Sequence, residues 1–430
     1  AQRERQSRPH HYFVYRLCKK SCMGRKMNIL FLTIAHFPDI NARGVYPDLM
    51  REFRDKGHRV YIVSPNERKF KLPTTLKTDK DITLLNVKTF NLQKTNIIEK
   101  GIATLVVQRQ FLNAIKKYFP DIKFDLVIYS TPPITFTKVV EYIKEKCAAK
   151  SYLLLKDIFP QNAVDIGMMR QGGIIHRFFR EKEKKLYDVS DYIGCMSPAN
   201  VDFLLKHNKS INPNNVEVCP NSIKIVTNHI TEEEKYQIKN IYNIPNNVVV
   251  YIYGGNLGKP QGLDFLLKVI ESNNGKKDRF FLIVGSGTEF PKIKDWFNTY
   301  KPSNAKFLAG LPKEEYDKVV QTGDVGMIFL DPRFTIPNYP SRLLTYLEYK
   351  MPVVLATDKN TDIGRIAEKS GYGFWTENGN LLEFNSFIDK ICKEKNRIVE
   401  MGQKGYEFLK MNYTVDKSYQ IIMRHFENVI

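Results

Sequence analysis

Cysteine is scarce and scattered in this chain: six among 430 residues, at positions 18, 22, 147, 195, 219 and 392. Only Cys18 and Cys22 lie near each other, and no histidine accompanies them at finger spacing. Neither a disulfide framework nor a structural zinc is therefore expected, and the cysteines read as reduced cytosolic thiols. No apolar run approaches the roughly 18–20 residues that span a bilayer as a helix. There is no low-complexity tract and no repeat of solenoid period. Acidic residues are the minority charge, 46 Asp and Glu against 66 Lys and Arg, for a net charge of +20. The excess is uneven: residues 27–223 hold thirty basic and twenty acidic side chains, and residues 224–430 hold twenty-eight and twenty-five. A basic first half points to an anionic membrane or phosphorylated ligands. Nucleic acid is not expected, because the charge is spread and no recognised binding module is present.

The length suggests two domains of roughly 150–200 residues each. Residues 1–26 have no helical or strand period, carry eight basic residues and one acidic residue, and lack the apolar core of a secretory signal. They are expected to be a disordered extension upstream of the fold. From Met27 onward, apolar runs alternate with helical patterns. The runs fall at 28–34, 59–63, 82–87, 125–130, 151–155 and 191–196, then at 248–253, 279–284, 305–308, 325–330 and 352–356. That alternation predicts an α/β protein with two parallel, doubly wound sheets facing each other across a cleft. The expected division is 27–222, joined by a final helix at 415–430, and 223–414.

The sharpest local signal is N-V-V-V-Y-I-Y-G-G-N-L-G-K-P-Q-G-L-D-F-L-L-K, residues 247–268. A strand that ends in a glycine loop and runs into a helix brings backbone N–H groups and a helix start to an anion. Lys259 adds a mobile positive charge there. A second loop, Gly285-Ser286-Gly287, follows the next strand and is expected at the same edge. In T-I-P-N-Y-P-S-R-L-L-T-Y-L-E-Y-K-M-P-V-V, residues 335–354, Ser341 is a predicted N-cap after the Pro340 breaker. Arg342 then falls in the first helical turn, against the helix dipole, which suggests that it serves a ligand such as a diphosphate. In the first half, Gly44 lies in the loop after the first strand, with N–H groups expected to point into the cleft. Lys156-Asp157 stands at a strand end, where an active-site group belongs. The segment 172–187 reads as a basic amphipathic helix that suits either an anionic membrane or the domain interior.

Taken in order, F-P-D-I-N-x-x-G, D-I-F-P, C-P-N-S, G-G-N-L-G-K-P-Q-G-L, V-G-S-G, P-S-R-L-L and P-V-V resemble the family 4 glycosyltransferases of the GT-B fold, from Met27 to Ile430. The G-N-L-G-K-x-Q-G-L form is similar to transferases that build bacterial surface polysaccharides, with the N-acetyl-L-fucosamine transferases of capsule and O-antigen synthesis as the nearest type. The resemblance implies retaining transfer from a nucleotide sugar, UDP-linked, with no essential metal or other cofactor. The implied acceptor is a polyprenyl-diphosphate-linked saccharide at the cytoplasmic membrane face. Other polysaccharide-synthesis enzymes are further partners it implies.

By the same resemblance, Lys259, Arg342 and Asp157 would carry the reaction. Gly44, Gly255, Asn256, Gly258, Gln261, Gly285, Ser286, Gly287, Leu311, Asn338, Tyr339, Ser341, Thr345 and Glu348 would line the donor site, with Asn338, Tyr339 and Ser341 offering backbone N–H groups. Lys156 would meet the acceptor. The pattern departs from the family at the two glutamates spaced eight positions apart, which are Pro337 and Thr345 here. Glu348, one helical turn beyond Thr345, could share its face. The missing glutamates keep two other readings open: a nucleotide-sugar epimerase of the same fold and a non-catalytic nucleotide-sugar-binding subunit.

Overall fold

A computed structural model describes residues 25–92, 97–227 and 229–426. Apart from Arg25 and Lys26, the expected N-terminal extension lies outside the described residues. Eight strands form the first sheet: β1 (Asn28–Leu32), β2 (Arg59–Glu67), β3 (Thr75–Asp79), β4 (Ile82–Thr89), β5 (Leu126–Ser130), β6 (Lys150–Leu155), β7 (Tyr192–Cys195) and β8 (Val216–Val218). Their order is β3-β4-β2-β1-β5-β6-β7-β8, parallel except for β3, which runs antiparallel to β4. The second sheet holds β9 (Val249–Asn256), β10 (Arg279–Ser286), β11 (Ala305–Ala309), β12 (Val325–Phe329), β13 (Val353–Thr357) and β14 (Gly373–Glu377). Its order is β11-β10-β9-β12-β13-β14, all parallel.

Both sheets are covered on both faces, which is why their central strands read as unbroken apolar runs. Along β1, Leu30 and Leu32 join a core with Val107, Phe111 and Val139 of the helices Ile97–Tyr118 and Thr137–Cys147. Ile29 and Phe31 point the other way, onto Leu49 and Phe53 of the helix Val45–Asp55 and Ile422 of the helix Val415–Met423. In β9, Val250 and Ile252 face one core while Val249, Tyr251 and Tyr253 face the other. This is the period of two expected of a strand. The sequence pattern misses β3, β8 and β14, which all form sheet edges. β3 is the sequence Thr-Leu-Lys-Thr-Asp and is largely exposed, so it carries the charge that edges tolerate and no apolar run.

The chain crosses between the sheets twice, and the crossings lie side by side. Ile223 N–H donates to the Tyr413 carbonyl at 3.0 Å, and Val415 N–H donates to the Ile223 carbonyl at 3.2 Å. The last helix then packs on the first domain. It ends at Met423, short of the expected 430; residues 427–430 lie outside the described residues. The loop after β12 also reaches across: Phe334 and Ile336, 2% and 0% exposed, sit in the core of the first domain. Burial of each contributes up to about 1.5–3 kcal/mol to holding the domains together.

The strand order places the cleft. In an open parallel sheet, ligands bind beyond the carboxyl ends of the strands, where the winding reverses. In the second sheet that point lies between β9 and β12, so the loops 256–262 and 330–342 flank it. In the first sheet it lies between β1 and β5, which brings the 33–44 loop to the same region.

Candidate active site

The two glycine loops of the second domain run together. Gly255 and Asn256 of β9 stand opposite Gly285 and Ser286 of β10. Leu257 N–H donates to the Ser286 carbonyl at 3.0 Å, and Glu289 N–H donates to the Leu257 carbonyl at 2.8 Å. This contact explains two glycines: a Cβ at Gly285 would come within 2.0 Å of the Gly255 carbonyl oxygen, and one at Gly287 within 2.3 Å of the Leu257 carbonyl oxygen. Leu311 follows the neighbouring β11, and Gly310 beside it packs against Ser286.

Not all the loop glycines serve a ligand, then. Gly262 has φ +56°, and a Cβ there would press on Asp331 and Asn378. The start of the helix Leu263–Ser272 is thus packed against protein. Gly258 is crowded only by the Asn256 side chain, and Gly255, with φ +115°, faces open space toward Arg342. The open part of the cradle is therefore the stretch 255–259 and not the helix start.

Arg342 is the centre of the site. Its Nη2 donates to Gln261 Oε1 at 2.8 Å, and its guanidinium lies 4.2 Å from the centre of the Tyr253 ring. Its Nη1 is buried and has no hydrogen-bond partner among the described residues. A buried guanidinium N–H without an acceptor is costly, and an incoming anion would remove that cost. Gln261 belongs to the single turn Lys259–Gln261, so the bond to Gln261 ties Arg342 to the segment that carries Lys259. Lys259 is exposed and makes no ion pair among the described residues.

Sequence reasoning missed the aromatic support beneath this arginine. Tyr253 lies fully buried at the end of β9 and donates from its hydroxyl to the Asn256 carbonyl at 2.7 Å. Burial raises its pKa, so it stays a neutral donor. The Gly254 N–H donates to the Tyr346 hydroxyl at 3.0 Å, one turn beyond Arg342. Two tyrosines in V-V-V-Y-I-Y were visible as core residues of a strand; nothing in the sequence marked one as the floor of an arginine.

Four expected roles are corrected by the geometry. Ser341 precedes the helix Arg342–Glu348 but does not cap it with its side chain, because its backbone is already helical. The Asn338 N–H is not offered to a ligand: it donates to Thr361 Oγ1 at 3.0 Å. Tyr339 and Ser341 N–H groups make no hydrogen bond among the described residues, while the Tyr339 hydroxyl is bonded to that of Tyr413. The Gly44 N–H points at Asp48 Oδ1, 3.3 Å away in its own helix, and not into the cleft.

Glu348 is the fourth correction. It is fully buried, its carboxylate accepts from Arg43 Nη2, and its other oxygen accepts from Val226 N–H at 2.9 Å. Arg43 Nη1 also donates to the Tyr349 hydroxyl at 3.3 Å. Burial works to lower the Arg43 pKa, and Glu348 beside it outweighs that and raises it. Glu348 therefore fastens the first domain and the linker to the helix that carries Arg342. Thr345, on the same helix, stays partly exposed.

On the opposite wall, Asp157 is held by Asn162, whose Nδ2 donates to Asp157 Oδ1 at 2.7 Å. Its backbone N–H donates to Thr131 Oγ1 at 3.2 Å. Lys156 turns away toward the linker, and its Nζ donates to the Cys219 carbonyl at 3.0 Å. Burial pushes its pKa down to about 8, against the pull of Cys219 and Cys195. The two walls touch beside the cleft: Thr335 N–H donates to Asp165 at 2.7 Å, and Asn200 Nδ2 donates to the Pro337 carbonyl at 2.8 Å. Cys147, Cys195, Cys219 and Cys392 are free thiols.

Residues 234–408, which include every strand of the second sheet, match the family model described as glycosyl transferases group 1. The chain is 22% identical over 327 residues to the probable glycosyltransferase WbjE of Pseudomonas aeruginosa, covering 75% of this chain and 78% of that one. It is 21% identical over 268 residues to the putative colanic acid biosynthesis glycosyl transferase WcaI of Escherichia coli strain K12, covering 59% of this chain and 64% of that one. Among solved structures, HepE of Anabaena in complex with UDP-glucose superposes with a TM-score of 0.65 at 13% identity, over 94% of this chain and 100% of that one. The paired sheets are the GT-B fold, and the chain is a glycosyltransferase by class.

Proposed function

We propose that this glycosyltransferase moves a sugar, an N-acetylhexosamine such as N-acetyl-L-fucosamine, from a nucleoside diphosphate to a lipid-linked saccharide in surface polysaccharide synthesis. The observation that carries the donor half of this reading is the buried, unpartnered Nη1 of Arg342 above the open glycine cradle. When the bond between the sugar and the diphosphate breaks, negative charge gathers on the leaving diphosphate. Arg342, held by Gln261 and Tyr253, and Lys259 on the adjoining turn would meet that charge without reorganising. In this reading they stand in place of a metal ion, with retention at the transferred carbon. UDP is the favoured carrier, since a protein of like fold holds UDP-glucose. The likeness to WcaI, described as a putative colanic acid biosynthesis glycosyl transferase, supports a polysaccharide product, and the G-N-L-G-K-P-Q-G-L motif supports the same surface-polysaccharide class.

Asp157 lies across the cleft, oriented by Asn162, and would meet the sugar or the acceptor hydroxyl. The seam contacts at Asp165, Asn200 and Arg43 hold the two walls together and would help exclude water. The test is incubation with a panel of nucleotide sugars and polyprenyl-diphosphate-linked saccharides, with and without EDTA. Acceptor-dependent release of nucleoside diphosphate that survives EDTA is the expected result. No release with any donor would reduce the chain to a nucleotide-sugar-binding subunit.

A further inference from the structure

The helix Ile174–Val189 presents two unlike faces. Inward, Glu183, Leu186 and Tyr187 are buried, and Phe179 packs edge-on against Phe159 with ring centres 5.1 Å apart. Outward, Ile174 is 81% exposed, Ile175 64% and Phe178 44%, and Met168 in the preceding turn is 59% exposed. Ile175, Phe178, Lys182 and Lys185 follow one another at three- and four-residue steps, so they share a stripe. The cations of this face are not spent on the protein. Arg170, Arg177, Lys182 and Lys185 make no ion pair among the described residues, and Lys182 Nζ lies 5.5 Å from the centre of the Phe178 ring. Two acidic groups, Glu181 and the exposed Asp188, share this side, and Glu181 is paired with Lys184 at 3.0 Å.

An apolar ridge flanked by unpaired cations matches the boundary layer of an anionic bilayer, where the apolar side chains enter the acyl region and the cations meet the phosphates. Among the described residues no helix is long and apolar enough to cross a membrane, so this contact would be peripheral. Its place in the fold gives it a use. The ridge lies immediately beyond the segment of Asp157 and the helix Gln161–Asp165, whose Asp165 touches Thr335 across the cleft.

We propose that Met168, Ile174, Ile175 and Phe178, with the surrounding cations, form the face by which the chain docks on an anionic bilayer. Docking would bring the cleft mouth to the lipid surface. The purpose of this docking rests on the lipid-linked acceptor proposed above, whereas the binding itself does not.

The experiment is co-sedimentation of the full chain with vesicles of phosphatidylcholine alone and of phosphatidylcholine with phosphatidylglycerol, at low and high salt. The wild type is expected to pellet with the anionic vesicles, less at high salt and less with neutral ones. I174D/I175D is expected to lower that binding by at least roughly tenfold. R177E/K185E, which changes only exposed side chains, is expected to abolish the preference for anionic lipid. Two results would overturn the proposal: no vesicle binding by the wild type, or undiminished binding by both variants. A concentration-dependent dimer lost in I174D/I175D, with no vesicle binding, would assign the ridge to a second copy of the chain instead. Release of nucleoside diphosphate with a water-soluble acceptor, read in parallel, separates the outcomes: its absence with vesicle binding intact removes the transferase reading and leaves the docking face.

Discussion

Two arginines approach the short helix Arg342–Glu348 from opposite ends, and they are in opposite states. Arg43 comes from the first domain and is saturated, bonded to the buried Glu348 carboxylate and to the Tyr349 hydroxyl. Arg342 starts the helix and is incomplete, with one nitrogen on Gln261 and another buried without a partner. A protein-satisfied charge holds structure; a charge positioned but left unsatisfied is held for something else. The pair separates what fastens the domains from what acts between them.

The largest expected effect falls on Arg342. Arg342→Ala is expected to lower turnover about 10²–10³-fold, the scale of losing one preorganised charge stabiliser, with the thermal midpoint nearly unchanged. Arg342→Lys is expected to recover only part, since an ammonium cannot replace the planar fork on Gln261 and a phosphate together. Arg43→Ala should behave in the reverse way. Removal of one partner from a buried pair costs about 3–5 kcal/mol, and with Arg43 itself a quarter exposed a loss of about 2 kcal/mol in urea unfolding is expected. Its turnover should fall much less than that of Arg342→Ala. Glu348→Gln added to Arg43→Ala should restore part of the stability, because it removes the stranded charge. If Arg43→Ala proved stable but inactive, the contrast between the two arginines would be wrong.

A smaller effect concerns Lys156. Its folded pKa, about 8, lies below the unfolded value near 10.5, so the unfolded chain binds the extra proton between those limits. Stability should therefore rise with pH from about 8 to about 10.5 on account of this group, and Lys156→Met should flatten that rise. An unchanged slope in the variant would mean that Lys156 does not hold this lowered pKa in the folded chain.

Much of this was legible in the sequence, for reasons that differ by region. Interior strands such as β1, β9 and β12 announce themselves because parallel strands covered on both faces must be apolar throughout. The loop 285–287 was legible because a backbone that approaches another backbone within 2.0–2.3 Å of a missing Cβ admits only glycine, and the loop 254–262 because Gly255 and Gly262 hold positive φ. Of the four edge strands only β11 was legible, as the run 305–308; β3, β8 and β14 carry no unbroken apolar run. Nor was the fate of Glu348. Spacing from Thr345 put it on a plausible helix face, but its burial depends on Arg43 and Val226, 305 and 122 residues away in sequence. Local periodicity carries no information about such partners. The same holds for Gly44 and Asn338, whose N–H groups are consumed by Asp48 and Thr361.

The central claim is that Arg342 waits for a diphosphate. Calorimetric titration of UDP and of UMP into the wild type and Arg342→Ala tests it directly. The wild type should bind UDP at least about tenfold more tightly than UMP, since a second phosphate would satisfy the buried Nη1, and Arg342→Ala should lose most of that preference. A wild type that does not distinguish the two nucleotides, or a variant that keeps the full preference, would contradict it.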